Sequence, residues 1–166
     1  TPERRQLGMV GVLRCSYLLA DDAATVEAAT ALLAESNLTA ELQNEARYDR
    51  AKALLNQNDT VRATDDLRAL AADTRTLQGA EAKYRLAQLL YDAGNYADAE
   101  KEALDFIDQS TPHAYWLART FVLLSDAYVA MDKKLEARQY LLSLQQNYQE
   151  KDDIQQMITE RLEKLK

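Results

Sequence analysis

Few side chains in this 166-residue sequence are of the types that do covalent or metal chemistry, and their spacing limits what they can do. His113 is the single histidine. A histidine can serve as general base or metal ligand, but no cysteine or second histidine lies near this one. Its place after Pro112 suits a surface helix start. Cys15 is the single cysteine, set on an apolar helical face between Leu13 and Leu18-Leu19. That setting predicts a buried thiol rather than a nucleophile, because reactivity needs exposed, electropositive surroundings. One cysteine forms no internal disulfide and leaves the redox compartment open. The pairs Asp21-Asp22, Asp65-Asp66 and Asp152-Asp153 have the composition of an acid–base pair or a hard-cation site. Two of them fall at helix starts, where capping accounts for them, and none has the spaced ligands of a calcium loop. Gly8 and Gly11 neither follow a strand nor complete a phosphate-binding loop. The sequence therefore predicts no catalytic residues, no metal, no cofactor and no enzyme activity.

The elements that carry these residues are helical. Four Gly and two Pro leave little material for the turns of a many-stranded sheet, and Ala with Leu make up about a third of the chain, a helix-favouring bias. The length fits one domain with a sizeable core. The net charge of −7 argues against nucleic-acid or anionic-membrane partners, which need a clustered positive face. No apolar run approaches the roughly 20 residues of a membrane span. Thr1-Pro2-Glu3 reads as a helix start, with a capping hydroxyl, Pro at the first helical position and an acid in the first turn. No signal peptide is visible in the sequence, and a start of this kind reads as a mature product or, by preference, an excised piece of a longer protein whose targeting segment is missing.

A repeat organises the helices. Ala46, Tyr48, Ala51 and Leu54 coincide with Ala82, Tyr84, Ala87 and Leu90 at an offset of 36. Two series extend the match: Ala28, Ala63, Ala99 and Ala137, and the small residues Ser16, Ala51, Ala87 and Ser125, both at spacings of 35, 36 and 38. Each unit reads as two helices. The first members cover about 3–20, 39–57, 77–93 and 112–131, and the second 22–36, 59–74, 95–110 and 133–148. The units run about 3–36, 39–74, 77–110 and 112–148. Small residues let the two axes approach where the helices cross, with Leu19, Leu54, Leu90 and Tyr128 beside the crossing. Gly94 is placed to end a helix in the left-handed conformation, and Thr111-Pro112 repeats the Thr1-Pro2 start. A capping-box-like Asp152-Asp153-Ile154-Gln155 opens a ninth helix over about 151–166. Its stripe of Ile154, Met157, Ile158, Leu162 and Leu165 suits a terminal cap.

Ala80-Glu81-Ala82-Lys83-Tyr84-Arg85-Leu86-Ala87 through Gly94-Asn95-Tyr96 and Ala99 resembles the tetratricopeptide repeat (TPR) family in the order and spacing of its small residues, Tyr, Gly-Asn-Tyr and Ala. The unit with Tyr128, Ala137 and Tyr148 is a second match. The two N-terminal units are degenerate, with Cys15 and Arg50 where the family has Leu, and the consensus Trp is absent. The stretched spacing resembles the TPR proteins of bacterial cell envelopes, which implies a periplasmic or envelope setting.

The resemblance implies a right-handed superhelical array of antiparallel hairpins whose first helices line a concave groove for a protein or extended peptide. It carries the inward face onto Tyr17, Tyr48, Lys52, Glu81, Tyr84, Gln88, Tyr91, Arg119, Val122 and Asp126. Tyrosines suit such a surface by offering large area, few rotors and a hydroxyl; equally, Tyr48 and Tyr84 could pack between first helices, with Tyr91 at the mouth. The clamp by which some TPR domains grip chaperone C-terminal carboxylates is absent, since the matching positions hold Leu13 and Tyr17, with Lys52 alone in the second unit. A structural spacer or self-association segment, acting through the array ends, the convex face or the last helix, is the competing expectation.

Overall fold

The computed structural model describes residues 1–166 and is all-helical. Its nine helices are α1 Pro2–Leu18, α2 Asp22–Leu33, α3 Ala40–Asn56, α4 Thr60–Ala71, α5 Leu77–Asp92, α6 Tyr96–Asp108, α7 Ala114–Ala130, α8 Lys134–Asn147 and α9 Ile154–Lys164. The expected elements are present, generally shortened by one to three residues at their ends. No helix is long and apolar enough to cross a membrane. The chain divides into two compact units, Thr1–Ala72 and Asp73–Lys166. In the first, α1 packs on α2, α2 on α3 and α3 on α4; in the second, α5 through α8 pack in the same sequential way and α9 lies on α7 and α8.

One turn recurs at the tip of every hairpin. α1, α3, α5 and α7 each end at a residue of positive φ: Ala20 (55°), Asn58 (60°), Gly94 (80°) and Asp132 (60°). The amide that follows each one donates back to a carbonyl five residues earlier, as Asp21 to Ser16, Asp59 to Leu54, Asn95 to Leu90 and Lys133 to Tyr128. The positive-φ residue itself donates three residues back, to Tyr17, Leu55, Tyr91 and Val129. This is a Schellman cap, which satisfies carbonyls the helix end leaves open. The residue after it is already the N-cap of the second helix, so stop and start are fused. Asp21 and Asp59 complete that start by accepting from Ala24 and Arg62 amides, both at 3.1 Å.

These turns fix the repeat register, and they correct the expected one in the first unit. Ala51, Ala87 and Ser125 stand seven residues before their positive-φ residue, but Ser16 stands only four before Ala20. The residue seven before Ala20 is Leu13, and Ser16 occupies the place of Leu54, Leu90 and Tyr128. In the second helices Thr25, not Ala28, matches Ala63, Ala99 and Ala137. The repeat spacing is therefore 38, 36 and 38. A shift of three residues keeps a side chain on the same helical face, which is why the displaced register reads as regular. Large and small have exchanged places at this crossing: Leu13 is fully buried, Ser16 is buried beside it, and Leu19 is 80% exposed.

Two other expectations are corrected. α7 starts at Ala114 with His113 as N-cap, leaving Pro112 outside the helix; Thr111 instead ties the preceding loop by donating to the Thr74 carbonyl at 2.7 Å. At α9 no capping box forms. Asp152 Oδ1 accepts from the Ile154 amide, while Gln155 Nε2 donates to the Tyr148 carbonyl.

Each unit has its own core. Val10, Leu13, Ala29, Leu32 and Ala46 form one in the first unit. In the second, Tyr84 and Phe106 pack with Ala80, Ala87 and Leu123, and Ile154 and Ile158 seat α9 against Ala118, Val122 and Leu144. Charged ties join some hairpins from within. Arg50 forks onto Asp66 at 2.8 and 2.7 Å, and Lys83 reaches Glu102 at 2.8 Å and Asp105 at 2.6 Å. Arg50, out of place by the family pattern, is thus paired across its hairpin.

Ala20 is the one hairpin tip where an alanine holds the left-handed conformation, which glycine adopts without steric cost. Ala20→Gly is expected to raise stability by about 0.5–1 kcal/mol, read as a higher midpoint in urea unfolding, whereas Gly94→Ala should lower it by a similar amount.

Candidate functional site

The face carried by the first helices is built differently in the two units. In the first unit, six residues before its positive-φ residue, α1 holds Arg14, in the place that Lys52, Gln88 and Asp126 occupy in their own helices. Tyr17, expected there, lies three residues further on and is half-buried. Arg14 forks onto Glu45 of α3 at 2.7 and 2.9 Å. The hydrogen bond from Arg14 holds the Glu45 carboxyl below its ordinary pKa, burial opposing it. One turn along α3, Asp49 is 6% exposed. Burial pushes its carboxyl up to about 7, with the Glu45 charge adding to the rise. Tyr48 is half-buried beneath Lys52, whose Nζ stands 5.5 Å from the ring centroid.

In the second unit the first-helix face opens on a cluster of rings and guanidinium groups. Tyr84 is 4% exposed; its hydroxyl donates to Gln88 Oε1 at 2.9 Å and accepts from Arg119 Nη2 at 3.0 Å. Arg119 Nη1 donates to the Tyr115 hydroxyl at 3.0 Å, which in turn donates to Asp153 at 3.1 Å. The Trp116 ring lies 5.5 Å from Tyr84 and 5.1 Å from Tyr115. Burial acts against the Arg119 charge, and the Tyr115 and Tyr84 hydroxyls outweigh it, so its pKa is raised. Glu81 is buried and accepts from Arg85 at 2.6 Å. Gln88 also donates to Asp92 at 2.8 Å. Tyr84 is thus held between α5 and α7 through Arg119 and Trp116, and Glu81 is paired within α5.

The open part of this face lies further along. A cavity of about 590 Å³ is lined by Tyr91 of α5, Ser125, Asp126, Val129 and Ala130 of α7, Lys134 of α8 and Glu160, Arg161, Lys164 and Leu165 of α9. Arg161 spans one wall, forking onto Asp126 at 2.7 and 3.0 Å and donating to the Met157 carbonyl at 3.3 Å. Tyr91 stands at the mouth, half-buried and edge-on to Tyr96 with centroids 5.3 Å apart; burial, then the nearby Asp126 charge, raises its phenol pKa. Val129 is 40% exposed. Lys134 and Lys164 are exposed and make no ion pair, and the buried Ser125 Oγ has no hydrogen-bond partner. The cavity offers apolar walls, the lysines Lys134 and Lys164, the Glu160 carboxylate, the Arg161–Asp126 pair and one unmet hydroxyl, a lining that suits a segment of peptide.

Tyr91 and Asp126 are the predicted residues that the structure brings to this cavity. Ser125, Arg161, Lys134 and Lys164 were not singled out as binding residues. Arg161 carried a signal, since it follows Ile154 and Ile158 at helical spacing and so shares the inward side of α9. The isolated lysines carried none.

The residues weighed for chemistry have structural settings. His113 Nε2 lies 2.8 Å from the Arg75 carbonyl oxygen and ties two loops of the second unit. Cys15 is exposed, against the expectation of a buried thiol, because α1 packs through Val10, Leu13 and Ser16 and turns the Cys15 side away from its neighbours. Asp66 is paired with Arg50. No group of three or more His, Cys, Asp or Glu side chains is placed to hold a metal ion.

Comparison with protein-family models and with curated proteins finds no match for this chain.

The raised Asp49 pKa carries a sign. Between the unfolded pKa near 4 and the folded value of about 7, the folded state binds the extra proton, so stability falls as pH rises through that window. Asp49→Asn is expected to match wild type near pH 4 and to exceed it by roughly 2–4 kcal/mol at pH 8, measured by urea unfolding at both pH values.

Proposed function

We propose that this chain is a helical-repeat module of the TPR type that binds a protein or peptide partner and performs no catalysis. The resemblance of residues 80–99 and of the unit ending at Tyr148 to that family supports the reading, as do four hairpins of 36- and 38-residue spacing. In that reading the hairpins stack as a right-handed superhelix with first helices inward. The observation that carries the binding role is the cavity between α5, α7, α8 and α9. It sets apolar contacts from Tyr91, Val129 and Leu165 beside two lysines without ion pairs, Lys134 and Lys164, with Glu160 as the one acid outside the Arg161–Asp126 pair. Shape and charge together favour an extended segment with an acidic side chain beside an apolar one. The half-buried cluster of Trp116, Tyr115 and Arg119 around the buried Tyr84 holds the helices that frame this cavity and has a supporting role.

A random-peptide display selected against the whole chain tests this. Selected peptides should carry Asp or Glu next to Leu, Ile, Phe or Met and bind with micromolar affinity by fluorescence polarisation. Lys134→Glu/Lys164→Glu should weaken them at least tenfold while leaving the circular dichroism spectrum unchanged. Peptides that bind the double variant as well as wild type would move the site elsewhere, and a selection that yields none would remove the peptide-binding reading.

A further inference from the structure

Ser125 differs from the threonines carried by these helices. Thr25, Thr30, Thr64, Thr120 and Thr159 each donate to the carbonyl four residues back, at 2.6–2.9 Å. Thr120 does so within α7 itself, onto the Trp116 carbonyl. Ser125 lies further along the same helix and is 1% exposed, yet its Oγ makes no hydrogen bond. The hairpin crossing has no need of the hydroxyl, since Ala51 and Ala87 hold the corresponding places in α3 and α5. A hydroxyl buried without a partner costs stability. The space that Ser125 borders is the cavity beside α9.

We propose that this cavity seats a tyrosine side chain of the bound segment, with the phenol hydrogen-bonded to Ser125 Oγ. The proposal rests on the peptide-binding reading and narrows its apolar residue to one type. Tyr91, Val129 and Leu165 supply walls for an apolar body, and a volume of about 590 Å³ admits an aromatic ring. The tip of that body must be neutral. Asp126 adjoins Ser125 and Glu160 lines the same space, so a carboxylate carried to that depth would meet like charge, with Arg161 already engaged by Asp126. Exposed Lys134 and Lys164 instead meet an acid next to the tyrosine. Phenylalanine would leave the Ser125 hydroxyl unmet. A glutamine amide carries more donors and acceptors than one hydroxyl can satisfy. Tyrosine joins a large apolar area to a single hydroxyl that both donates and accepts.

Titration of the isotope-labelled full chain with p-cresol and with toluene, followed by NMR, is the test. p-Cresol is the tyrosine side chain without its backbone, and toluene is the same ring without the hydroxyl. Toluene leaves water more readily, so apolar walls by themselves would favour it. Wild type should instead bind p-cresol about fivefold more tightly than toluene, with amide shifts centred on Ser125, Val129 and Leu165. Ser125→Ala should reverse that order. It should also leave the urea midpoint no lower than wild type, because the hydroxyl bonds to nothing in the fold. Toluene bound as tightly as p-cresol by wild type, a preference for p-cresol that survives Ser125→Ala, shifts centred elsewhere, or a lowered midpoint in the variant would each overturn the proposal. Display-selected peptides that need Lys134 and Lys164, with p-cresol unbound, would remove this inference and leave the peptide site standing. Ser125-dependent p-cresol binding with no selected peptide would uphold the phenol seat and remove the peptide from it.

Discussion

Each hairpin depends on how its first helix is stopped. A helix that ends in a Schellman cap releases the chain in one residue of left-handed backbone, and here the very next residue caps the following helix. With no slack between stop and start, the second helix has little choice of direction, and the two are held side by side over their length. Side chains then need only fill the crossing. That division of labour explains why the crossing tolerates Leu13 with Ser16 in one hairpin and Ala51 with Leu54 in another, provided that total volume is kept. It also explains why Gly, Asn, Asp and even Ala serve at the tip. Backbone hydrogen bonds define the turn, and residue type only adjusts its cost.

Polar groups do the selective work on this frame. Arg50 with Asp66 and Lys83 with Glu102 and Asp105 join helices of the same hairpin, whereas Arg14 with Glu45 and Arg161 with Asp126 join elements from successive ones. Asp66 is buried with Arg50, and removing one partner of a buried pair costs about 3–5 kcal/mol; Arg14 is largely exposed, so its pair fixes geometry more than stability. In the second unit, hydroxyls and guanidinium groups bind α5, α7 and α9 into a rigid surround for the cavity. Precision comes from that surround, and the cavity itself keeps exposed lysines and an unmet serine hydroxyl. Asp49 is buried without an ion pair of its own, between the opposed charges of Glu45 and Arg14, and Glu100 Oε2 is buried with no hydrogen-bond partner.

The fold was legible at the level of periodicity. Small residues at 36 and 38, polar breaks at Asn58-Asp59 and Gly94-Asn95, and the apolar stripe of α9 all had the positions the structure gives them. The first unit was misaligned by one helical turn because a three-residue slip preserves the face and the alanine-rich α2 offers a small residue at either register. Positive φ at Ala20 could have fixed the register, but alanine gives no sign of it. The candidate site was less legible. Tyr91 and Asp126 are carried to the first-helix face by the family resemblance, whereas Lys134 and Lys164 come from a second helix and the terminal helix, which that resemblance does not index. The apolar neighbours of Cys15 in sequence suggest burial, but burial depends on what faces a helix, and α1 packs in its own unit through Val10, Leu13 and Ser16.

Sequential packing also has a kinetic meaning. The hydrogen bonds of greatest sequence separation join residues 34 apart in the first unit, Asn56 with Asp22, and 38 apart in the second, Arg75 with His113 and Tyr115 with Asp153. Closing such short loops costs little entropy, and chains dominated by local contacts fold in microseconds to milliseconds. During synthesis each hairpin has its partner available soon after it leaves the ribosome, so apolar faces such as that of α3 wait only briefly for cover. The face of α7 and α8 that α9 covers waits until that helix has emerged.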